Sequence, residues 1–343
     1  MRMGEENIKI GESKLRKLVE EIFQKYGLSE EEASIVTDTL VVANLRGVDT
    51  HGVVLVDKYV QRLQAGSLNP QPNIKKTVDI GAVAMVDGDN GLGQLIGHKA
   101  MQLAVEKAKV HGVGVVAINN SNHFGTAAYF SMLAAAEGCI GIAASNASPR
   151  LAPWGGITPT YGNNPWSVAV PAEPFPIVLD IANSVVAFSK ILTARAKGES
   201  VPEEWALDVN GRKTTDAHLA EILLPFGGHK GYGIAFMIEV LTSILSNASI
   251  GKDVLKYDNL QAGQNIGHFF LALDISKFAS KEEFNERLEF FIKQIRESEL
   301  AENTVKIYLP GEIEFENSVN RKQDGITLPK KVVETLLAYS KNY

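Results

Sequence analysis

The chain has 343 residues, of which 45% are hydrophobic and 22% are charged. This composition is typical of a globular protein, and it excludes disordered, collagen-like and fully coiled-coil classes for the chain as a whole. The length predicts one large domain or two medium-sized ones. The formal net charge is −6 and no long run has a single sign, so we expect no nucleic-acid partner.

The N-terminal sequence and the hydropathy pattern predict a cytoplasmic protein without membrane contact. Acidic residues occur at once in MRMGEENIKI, where a signal peptide would have an apolar segment. Every stretch long enough to span a bilayer contains charge or strong polarity. Cys139 is the single cysteine, and its apolar surroundings indicate a small buried side chain.

Apolar residues at helical spacing predict three amphipathic helices near the N-terminus. The helices are expected at 13–25, at about 30–45 and at 53–63. Ser13 is the expected N-cap of the first, and Ser29 with Glu32 makes a capping box for the second. The loop at 65–73, rich in glycine, proline and asparagine, marks a boundary, so residues 1–75 are predicted as a helical part.

Short apolar runs then alternate with helical patterns, which predicts a central α/β domain over residues 76–265. Two predicted strands, at 166–170 and 177–181, follow each other without a long helix between them. The sheet is therefore expected to be mixed in direction. A helix over 231–247 is expected to be central and buried, because apolar residues recur along it at helical spacing.

Residues 266–343 are predicted as a C-terminal part that returns to the first domain. The pattern indicates a strand at 268–275, a charged amphipathic helix at 280–299 and a closing helix at 327–342.

The common phosphate-binding and hydrolase signatures are absent from the sequence. There is no GxGxxG after a strand, no GxxxxGK[ST], no GxSxG and no HExxH. The glycine-rich run at 87–94 fits neither nucleotide fingerprint and is predicted as a turn. The residues that could carry chemistry lie instead in short clusters of histidine with glycine or hydroxyl side chains.

The first cluster, RGVDTHGV at 46–53, places Thr50 beside His51 in a short connection between two predicted helices. Histidine is the side chain best suited to exchanging a proton near neutral pH, and an adjacent hydroxyl can orient it. The alternative is a histidine that only caps a helix end.

The second cluster, NNSNHFGT at 119–126, follows a predicted strand and opens a helix. His123, Phe124 and Gly125 lie where free backbone N–H groups favour an anion. A structural turn is an equally good interpretation of these residues.

Two further clusters indicate contacts with a ligand. Asp180 ends a predicted strand, where carboxylates of α/β sheets commonly reach a ribose hydroxyl. The run LLPFGGHKGYG at 223–233 places His229 and Lys230 among four glycines, which permits close approach of the backbone to a ligand and offers a cation for phosphate.

In this order and spacing, these segments resemble the malate/L-lactate dehydrogenase family that lacks a Rossmann fold. The family also includes L-sulfolactate and ureidoglycolate dehydrogenases, diketogulonate reductases and piperideine-2-carboxylate reductases. The resemblance runs from about residue 12 to about residue 312. The motifs that carry it are THG, SNHFG, GNNP, LDIANS, LPFGGHKGYG and NIGHFFLALD.

The resemblance implies a homodimer in which NAD or NADP lies on a central mixed sheet, while the N- and C-terminal helices form the other domain. It implies hydride transfer between the nicotinamide and C2 of a small 2-hydroxy or 2-oxo acid. His51 would donate the proton, Thr50 would replace the usual serine relay, and His123 would lie on the other side of the substrate. The implied cofactor contacts are Phe124, Gly125, Asp180, Ile181, Ala182, Lys230, Gly231, Pro310, Gly311 and Glu312.

Three positions depart from the family pattern. Leu55 replaces an arginine that clamps the substrate carboxylate, Asn163 replaces a threonine, and Ile313 replaces an arginine. A leucine cannot make a bidentate contact with a carboxylate, so Arg46, Lys58 or another cation must do so, or the substrate differs. Tyr59 remains a candidate substrate contact.

Several alternatives follow. Within the family, they are oxidation of ureidoglycolate, reduction of a cyclic imine, and a dimer that binds cofactor without turnover. From another class, a metal-dependent hydrolase would use His51, His123, His229, His268 and Asp180 as ligands. Because none of these residues lies three or four positions from another, we expect no metal ion.

Overall fold

The computed structural model describes residues 6–341. Within these residues the chain forms a helical part, built from both ends of the sequence, and a central seven-stranded sheet flanked by helices. None of the helices within this range combines the length and the apolar character needed to cross a lipid bilayer.

The helical part contains helices α1 (Glu12–Lys25), α2 (Glu30–Leu45), α3 (Val56–Gln64) and α10 (Lys330–Lys341), and strands β1 (Asn7–Ile10) and β11 (Ile326–Pro329). The two strands pair antiparallel, and all four helices contribute to one apolar core. The predicted capping box is confirmed, because Ser29 Oγ accepts from Glu32 N while the Glu32 carboxylate accepts from Ser29 N. The three helices expected in this part of the sequence, α1, α2 and α3, are all present.

The N-cap predicted for the first helix is wrong. Helix α1 begins after Gly11 rather than after Ser13, and Leu15 N donates to Gly11 O in its first turn. Ser13 lies inside the helix, and the structure gives Gly11 no side-chain cap.

The central sheet contains strands β2 (Lys75–Ile80), β3 (Val83–Asp87), β4 (Val113–Ser121), β5 (Cys139–Ser145), β6 (Trp166–Val170), β7 (Ile177–Ile181) and β10 (Ile266–Asp274). Their order across the sheet is β2-β3-β4-β10-β5-β6-β7. Only β3 and β4 pair in parallel, and all other neighbours are antiparallel. The expectation of a mixed sheet is confirmed.

Strand β10 lies at the centre of this sheet, between β4 and β5. Its first five residues are all buried, which suits a strand covered on both faces. The segment 266–274 therefore belongs to the sheet, and the division of the chain at residue 266 stays a prediction. The strand that rejoins the N-terminal helices is β11.

Helices cover the two faces of the sheet. Helix α4 (Gly93–His111) packs on β4 and β10, and α5 (Ala127–Ala136) packs on β5 and β6. Helix α7 (His229–Glu239) continues as a π-helical segment (Val240–Ile244) against β10 and β4. Phe270 packs in the cluster with α4 and α5, whereas its neighbour Phe269 packs with Ile238 of α7, so these helices lie on opposite faces.

The expectation that the helix over 231–247 is central and buried is confirmed for one stripe of the helix and is wrong for another. Phe236, Met237, Ile244 and Leu245 are each more than half exposed, although Ala235 and Ile238 are buried. One stripe of the helix packs on the sheet, and nothing in residues 6–341 covers the opposite apolar stripe. We call these four residues, two on α7 and two at the end of its π-helical continuation, the outer face of α7.

Hydrophobic periodicity did not reveal helices α6 (Phe188–Lys197) and α9 (Glu312–Asp324). Only Ile191 and Ala194 are buried in α6, and only Glu312 in α9, so neither helix has an apolar stripe that a pattern search can find. The remaining elements are α8 (Lys281–Arg296) and the short pair β8 (Ala206–Leu207) and β9 (Ile222–Leu223).

Candidate active site

A cleft of about 470 Å³ lies where the connection between α2 and α3 meets the ends of strands β4, β5 and β7. This volume is within the range of small-molecule sites, about 300–1,000 Å³. It is lined by residues from six segments, 48–51, 123–127, 145–148, 163–165, 180–190 and 257–266. The site is therefore assembled from both the helical part and the sheet.

The cleft brings together residues from three of the sequence clusters. The predicted site residues that line it are Thr50, His51, His123, Phe124, Gly125, Asp180, Ile181 and Ala182. Tyr59 does not line the cleft, but its hydroxyl contacts the His123 ring from behind.

The predicted substrate contact Arg46 and the departing position Leu55 both lie outside the cleft. Arg46 lines an adjoining groove with Gly311, and its guanidinium contacts Met132 Sδ at 3.3 Å. Leu55 packs against the apolar core of the helical part and does not reach the cleft. The position at which the resemblance implies a clamping arginine thus has no contact with this cavity.

The glycine-rich loop before α7 also lies outside the cleft within one chain, so Lys230 and Gly231 do not line it. A Cβ atom on Gly231 would lie 2.3 Å from Phe226 O, so local packing alone requires glycine there. His229 instead makes an edge contact with Trp154.

The Pro310–Glu312 turn does not line the cleft, and ion pairs of Glu312 fix its position. Pro310 O accepts from Val178 N of strand β7. The buried Glu312 carboxylate pairs with Arg296 and Lys306, both at 2.8 Å, and these contacts hold its pKa at about 2 despite the burial that opposes them. Pro310 and Gly311 are thereby fixed beside β7 and next to the groove that contains Arg46.

His51 lies in a short 3₁₀ turn that is anchored from the helical part. Asn44 Oδ1 accepts from Val53 N, and Asn44 Nδ2 donates to Asp49 Oδ1, which also pairs with Arg321 of α9. A Cβ on Gly52 would lie 2.2 Å from Asn44 Oδ1, so this tight turn requires glycine after the histidine.

The His51 ring has one nitrogen occupied and one free for a ligand. Thr50 Oγ1 lies 2.9 Å from His51 Nδ1, which leaves Nε2 available. Burial lowers the pKa of His51 below its usual value of 6.5. The ring stacks on His123, with centroids 5.8 Å apart.

His123 is held in the same way from another direction. Its Nδ1 lies 2.7 Å from the Tyr59 hydroxyl, so Nε2 is again the nitrogen left for a ligand. Burial lowers the pKa of His123 to about 3, and the charges of His51, His268 and Arg62 act in the same direction. The imidazole of His123 is therefore neutral near pH 7.

Asp180 links strand β7 to helix α5. Its Oδ2 accepts from Ala128 N at 3.2 Å, so the carboxylate stabilises the first turn of α5. Solvent reaches Asp180 through the cleft, but protein surrounds it on the other sides, and burial raises its pKa to about 6. The Ala128 N–H and Arg46 oppose this shift.

Several lining residues were not predicted from the sequence as site residues: Ser148, Asn163, Ser184, Lys190, Tyr257 and Gln264. Asn163 belongs to the GNNP motif, which was the one available signal. Lys190 lies in the first turn of α6, and Gln264 precedes β10 without any motif. Among the lining residues, Lys190 is the one lysine or arginine.

The residues of the cleft fit a nicotinamide dinucleotide. Gly125 has φ +88°, and a Cβ there would meet nothing within 4 Å, so a ligand can approach this backbone closely. The side chains of Ser148, Asn163 and Lys190 have no hydrogen-bond partner within residues 6–341. Free hydroxyl and amide groups, one ammonium and one carboxylate suit sugar, phosphate and amide groups of a ligand.

The alternative of a metal site gains no geometric support. In the described part of the chain, no group of three or more histidine, cysteine, aspartate or glutamate side chains is arranged to hold a metal ion. His268 is instead buried between two hydroxyls, with Ser145 Oγ 3.0 Å from Nδ1 and Ser121 Oγ 2.8 Å from Nε2.

The model of the malate/L-lactate dehydrogenase family matches residues 10–337 of the chain. The protein belongs to the malate/L-lactate dehydrogenase family. The resemblance seen in the sequence motifs is thereby confirmed, together with the α/β fold and its mixed sheet.

Relatives across this family are similar to the chain over nearly its whole length. The malate dehydrogenase of Pyrococcus abyssi is 39% identical over 97% of this chain and 94% of its own. The L-sulfolactate dehydrogenase of Methanocaldococcus jannaschii is 41% identical over 94% of this chain and 93% of its own. The ureidoglycolate dehydrogenase (NAD(+)) of Escherichia coli is 33% identical over 96% of this chain and 95% of its own.

The solved structure of the Methanocaldococcus jannaschii sulfolactate dehydrogenase has a TM-score of 0.92 to this structure. It is 40% identical and covers 97% of this chain and 96% of that chain. Membership of the malate/L-lactate dehydrogenase family makes the protein an oxidoreductase that acts on hydroxyacids.

Proposed function

We propose that the protein transfers a hydride between NAD or NADP and C2 of a small 2-hydroxy or 2-oxo acid. The observation that carries this proposal is the stacked pair His51 and His123. Both residues line one cleft, and each has Nε2 free, beside polar groups that suit the sugar, phosphate and amide groups of a dinucleotide. Relatives named as malate and sulfolactate dehydrogenases support the substrate class. Malate and sulfolactate are both 2-hydroxy acids with a second anionic group, so we infer a substrate of that kind.

The residues that would hold the cofactor lie along the sheet side of the cleft. Phe124 and Gly125 would face it at the start of α5, and Asp180 would accept a hydrogen bond from a ribose hydroxyl, with Ile181 and Ala182 beside it. Lys190 would bind a phosphate. The contribution of Lys230, Gly231, Pro310 and Gly311 to cofactor binding stays a prediction.

The bound nicotinamide supplies the hydride for reduction or accepts it in oxidation. The protein supplies orientation and one proton. In reduction, protonated His51 donates from Nε2 to the carbonyl oxygen, while Thr50 keeps the ring in place at Nδ1. In oxidation, neutral His51 takes the hydroxyl proton.

His123 has a different task in this scheme. It stays neutral, so it orients the substrate through a hydrogen bond at Nε2 rather than by exchanging a proton. Tyr59 fixes the ring at Nδ1 and is thereby a positioning residue instead of a direct substrate contact. Arg46 stays a candidate for an anionic group of the ligand, because it lies close enough to Asp180 to oppose the rise of its pKa.

We further propose a cytoplasmic homodimer in which the outer face of α7 is the contact surface. An exposed, contiguous apolar stripe is typical of protein interfaces. A second copy of the chain is the partner that the family resemblance implies, and its packing would bury Phe236, Met237, Ile244 and Leu245, which are exposed in one chain.

The experiment that tests the reaction class is absorbance at the reduced-nicotinamide band. NADH and NADPH are each offered with oxaloacetate, pyruvate, sulfopyruvate, diketogulonate and piperideine-2-carboxylate, and ureidoglycolate is offered in the oxidative direction. We expect turnover with oxaloacetate or sulfopyruvate. Turnover only with piperideine-2-carboxylate or with ureidoglycolate would contradict the proposed substrate class. No absorbance change with any compound, while the cofactor still binds, would indicate a dimer without turnover.

A further inference from the structure

A buried arginine lies behind the wall of the cleft, and none of the roles described so far uses it. Arg62 of helix α3 is 1% exposed. Its guanidinium donates to five acceptors, and all of them are neutral. They are Ser67 Oγ at 3.3 Å, Ser67 O at 3.3 Å, Ala262 O at 3.3 Å, Gln264 Oε1 at 2.9 Å and Asn122 Oδ1 at 2.9 Å.

No carboxylate pairs with Arg62 anywhere in residues 6–341. A buried charge without a counter-ion is costly, and proteins normally pair it. Burial lowers the pKa of Arg62 to about 10, which still leaves the guanidinium charged at neutral pH. An uncompensated positive charge is therefore fixed inside the protein.

This charge is connected to His123 through two amide side chains. Gln264 Oε1 accepts from Arg62 and also from His123 N, at 3.1 Å. Asn122 Oδ1 accepts from Arg62 and also from Gln264 N, at 3.0 Å. Both oxygens face the guanidinium, so Arg62 determines how the two amides are oriented.

The same helix holds the imidazole itself. Tyr59, one turn before Arg62 on α3, contacts His123 Nδ1. Helix α3 thus fixes the backbone of His123 through Arg62 and Gln264, and its ring through Tyr59. Gln264 also lines the cleft, so the network reaches the ligand cavity.

A 2-oxo acid brings at least one carboxylate into this cleft. The clamping arginine that the resemblance implies is absent, since its position is Leu55, which packs against the helical core. Lys190 is the cation on the lining, and it lies on α6 rather than on the α3 side. The Arg62 charge is fixed on the side of His123, where it contributes to holding that ring neutral.

We propose that Arg62 is a positioning residue of the active site. Its charge orients Gln264 and His123 and makes this end of the cleft favourable for a substrate carboxylate. The proposal rests on the proposed function and deepens it, because it assigns to a buried residue the electrostatic part of what the missing arginine would do.

The principal test is Gln264→Glu, which gives Arg62 an anionic partner with nearly unchanged shape. The control is Gln261→Glu, which adds the same charge to an exposed position of the same loop. We expect Gln264→Glu to raise KM for oxaloacetate about tenfold or more with a smaller change in kcat, because the positive potential is neutralised. Gln261→Glu is expected to leave KM unchanged.

A second series separates charge from hydrogen-bond geometry. Arg62→Lys keeps the charge and loses the planar fork, whereas Arg62→Met loses both. KM for oxaloacetate is expected to rise less in the lysine variant than in the methionine variant. If Arg62→Met does not fold, the comparison of Gln264→Glu with Gln261→Glu still tests whether the Arg62 charge affects KM.

Histidine ring titration by NMR gives a readout that does not need turnover. Neutralising Arg62 by Gln264→Glu is expected to raise the pKa of His123, because a positive charge that opposed protonation is cancelled. A silent substrate panel would refute the proposed function and leave this titration as the test of the charge. An unchanged KM, or an unchanged His123 titration, in folded Gln264→Glu would overturn the proposal for Arg62.

Discussion

At the scale of single residues, the cleft contains two imidazoles whose surroundings separate their roles. Both rings have Nδ1 occupied by a hydroxyl, of Thr50 in one case and of Tyr59 in the other. Burial lowers the pKa of both rings, to about 3 for His123 and below the usual value of 6.5 for His51. The proposed function assigns the proton to His51, because the Thr50 hydroxyl at Nδ1 holds its ring while Nε2 is free in the cleft.

A pH profile tests this assignment. Oxidation needs neutral His51, so kcat/KM for oxidation is expected to rise with pH and to level off above an apparent pKa lower than 6.5. Reduction needs protonated His51, so kcat/KM in that direction is expected to fall over the same range. Steady-state rates in both directions from about two pH units below to about two pH units above the usual histidine value provide the measurement.

Asp180 is the second group in the cleft that titrates in this range, because its pKa is raised to about 6. The profile is therefore repeated with Asp180→Asn, in which only the histidine limb should remain. A profile for oxidation that falls as pH rises through this range would contradict the role of His51.

At the scale of elements, the turn between β4 and α5 decides how closely a ligand can approach. Gly125 in this turn has φ +88° and open space in the direction of a Cβ. Gly155 has nearly the same conformation, φ +87°, and the same open space, but it does not line the cleft. The two glycines therefore form a matched pair for mutation.

Gly125→Ala and Gly155→Ala are expected to lose similar stability, about 1–2 kcal/mol, since each places an L side chain in the left-handed region. Only Gly125→Ala is expected to weaken cofactor binding, because its methyl group enters the cleft. Thermal unfolding and fluorescence titration with NADH and NADPH measure the two effects. Equal cofactor affinity in both variants would remove Gly125 from the cofactor site.

Elements with a strong local signal could be predicted from the sequence. The capping box of Ser29 and Glu32 and the apolar strands of the sheet are examples, because their patterns are dictated by local hydrogen bonds and burial. Helix α6 could not be found, since it buries only two side chains, and Lys190 was missed with it. The exposure of the outer face of α7 was missed because apolar spacing indicates a face that avoids water. It does not show whether the same chain or a partner covers that face.

The site divides in the same way. Histidines beside glycines were visible as clusters, and the structure places Thr50, His51, His123 and Asp180 around one cavity. The network of Arg62 with Gln264 and Asn122 has no sequence signature, because it joins three distant segments through side-chain amides. Long-range polar contacts of this kind depend on the tertiary fold.

At the scale of the whole molecule, the outer face of α7 makes the proposed dimer testable. Ile244→Glu places a charge on this face, where Ile244 is 55% exposed, and is expected to give a monomer. Phe290→Glu is the control, because Phe290 is 63% exposed on helix α8. Light scattering coupled to size exclusion measures the mass of each, and a monomeric wild-type protein would contradict the proposal.

Buried neutral histidine also makes the stability of the whole molecule depend on pH. His268 is fully buried in β10 and its pKa is lowered to about 3, while an unfolded histidine titrates near 6.5. Between these values the unfolded state binds more protons, so the free energy of unfolding is expected to fall as pH decreases below 6.5. Each such histidine contributes up to about 1.4 kcal/mol per pH unit.

Asp180 acts with the opposite sign, because its folded pKa of about 6 lies above its unfolded value of 3.8. Its contribution to stability grows as pH falls through 6, and it offsets part of the histidine effect. Denaturant unfolding at a series of pH values measures the sum. His268→Gln is expected to lose stability at neutral pH and to show a shallower decline in acid; equal slopes in the two proteins would contradict this account.

The central claim is that His51 exchanges the proton that accompanies hydride transfer in this cleft. The most direct test is single-turnover oxidation of bound NADH or NADPH on mixing with oxaloacetate, in the wild-type protein and in His51→Gln, with His218→Gln as an exposed control. The account predicts that His51→Gln slows the step by about 10²-fold or more while the affinity for the reduced cofactor is unchanged. Equal rates in the wild-type protein and in His51→Gln would contradict it.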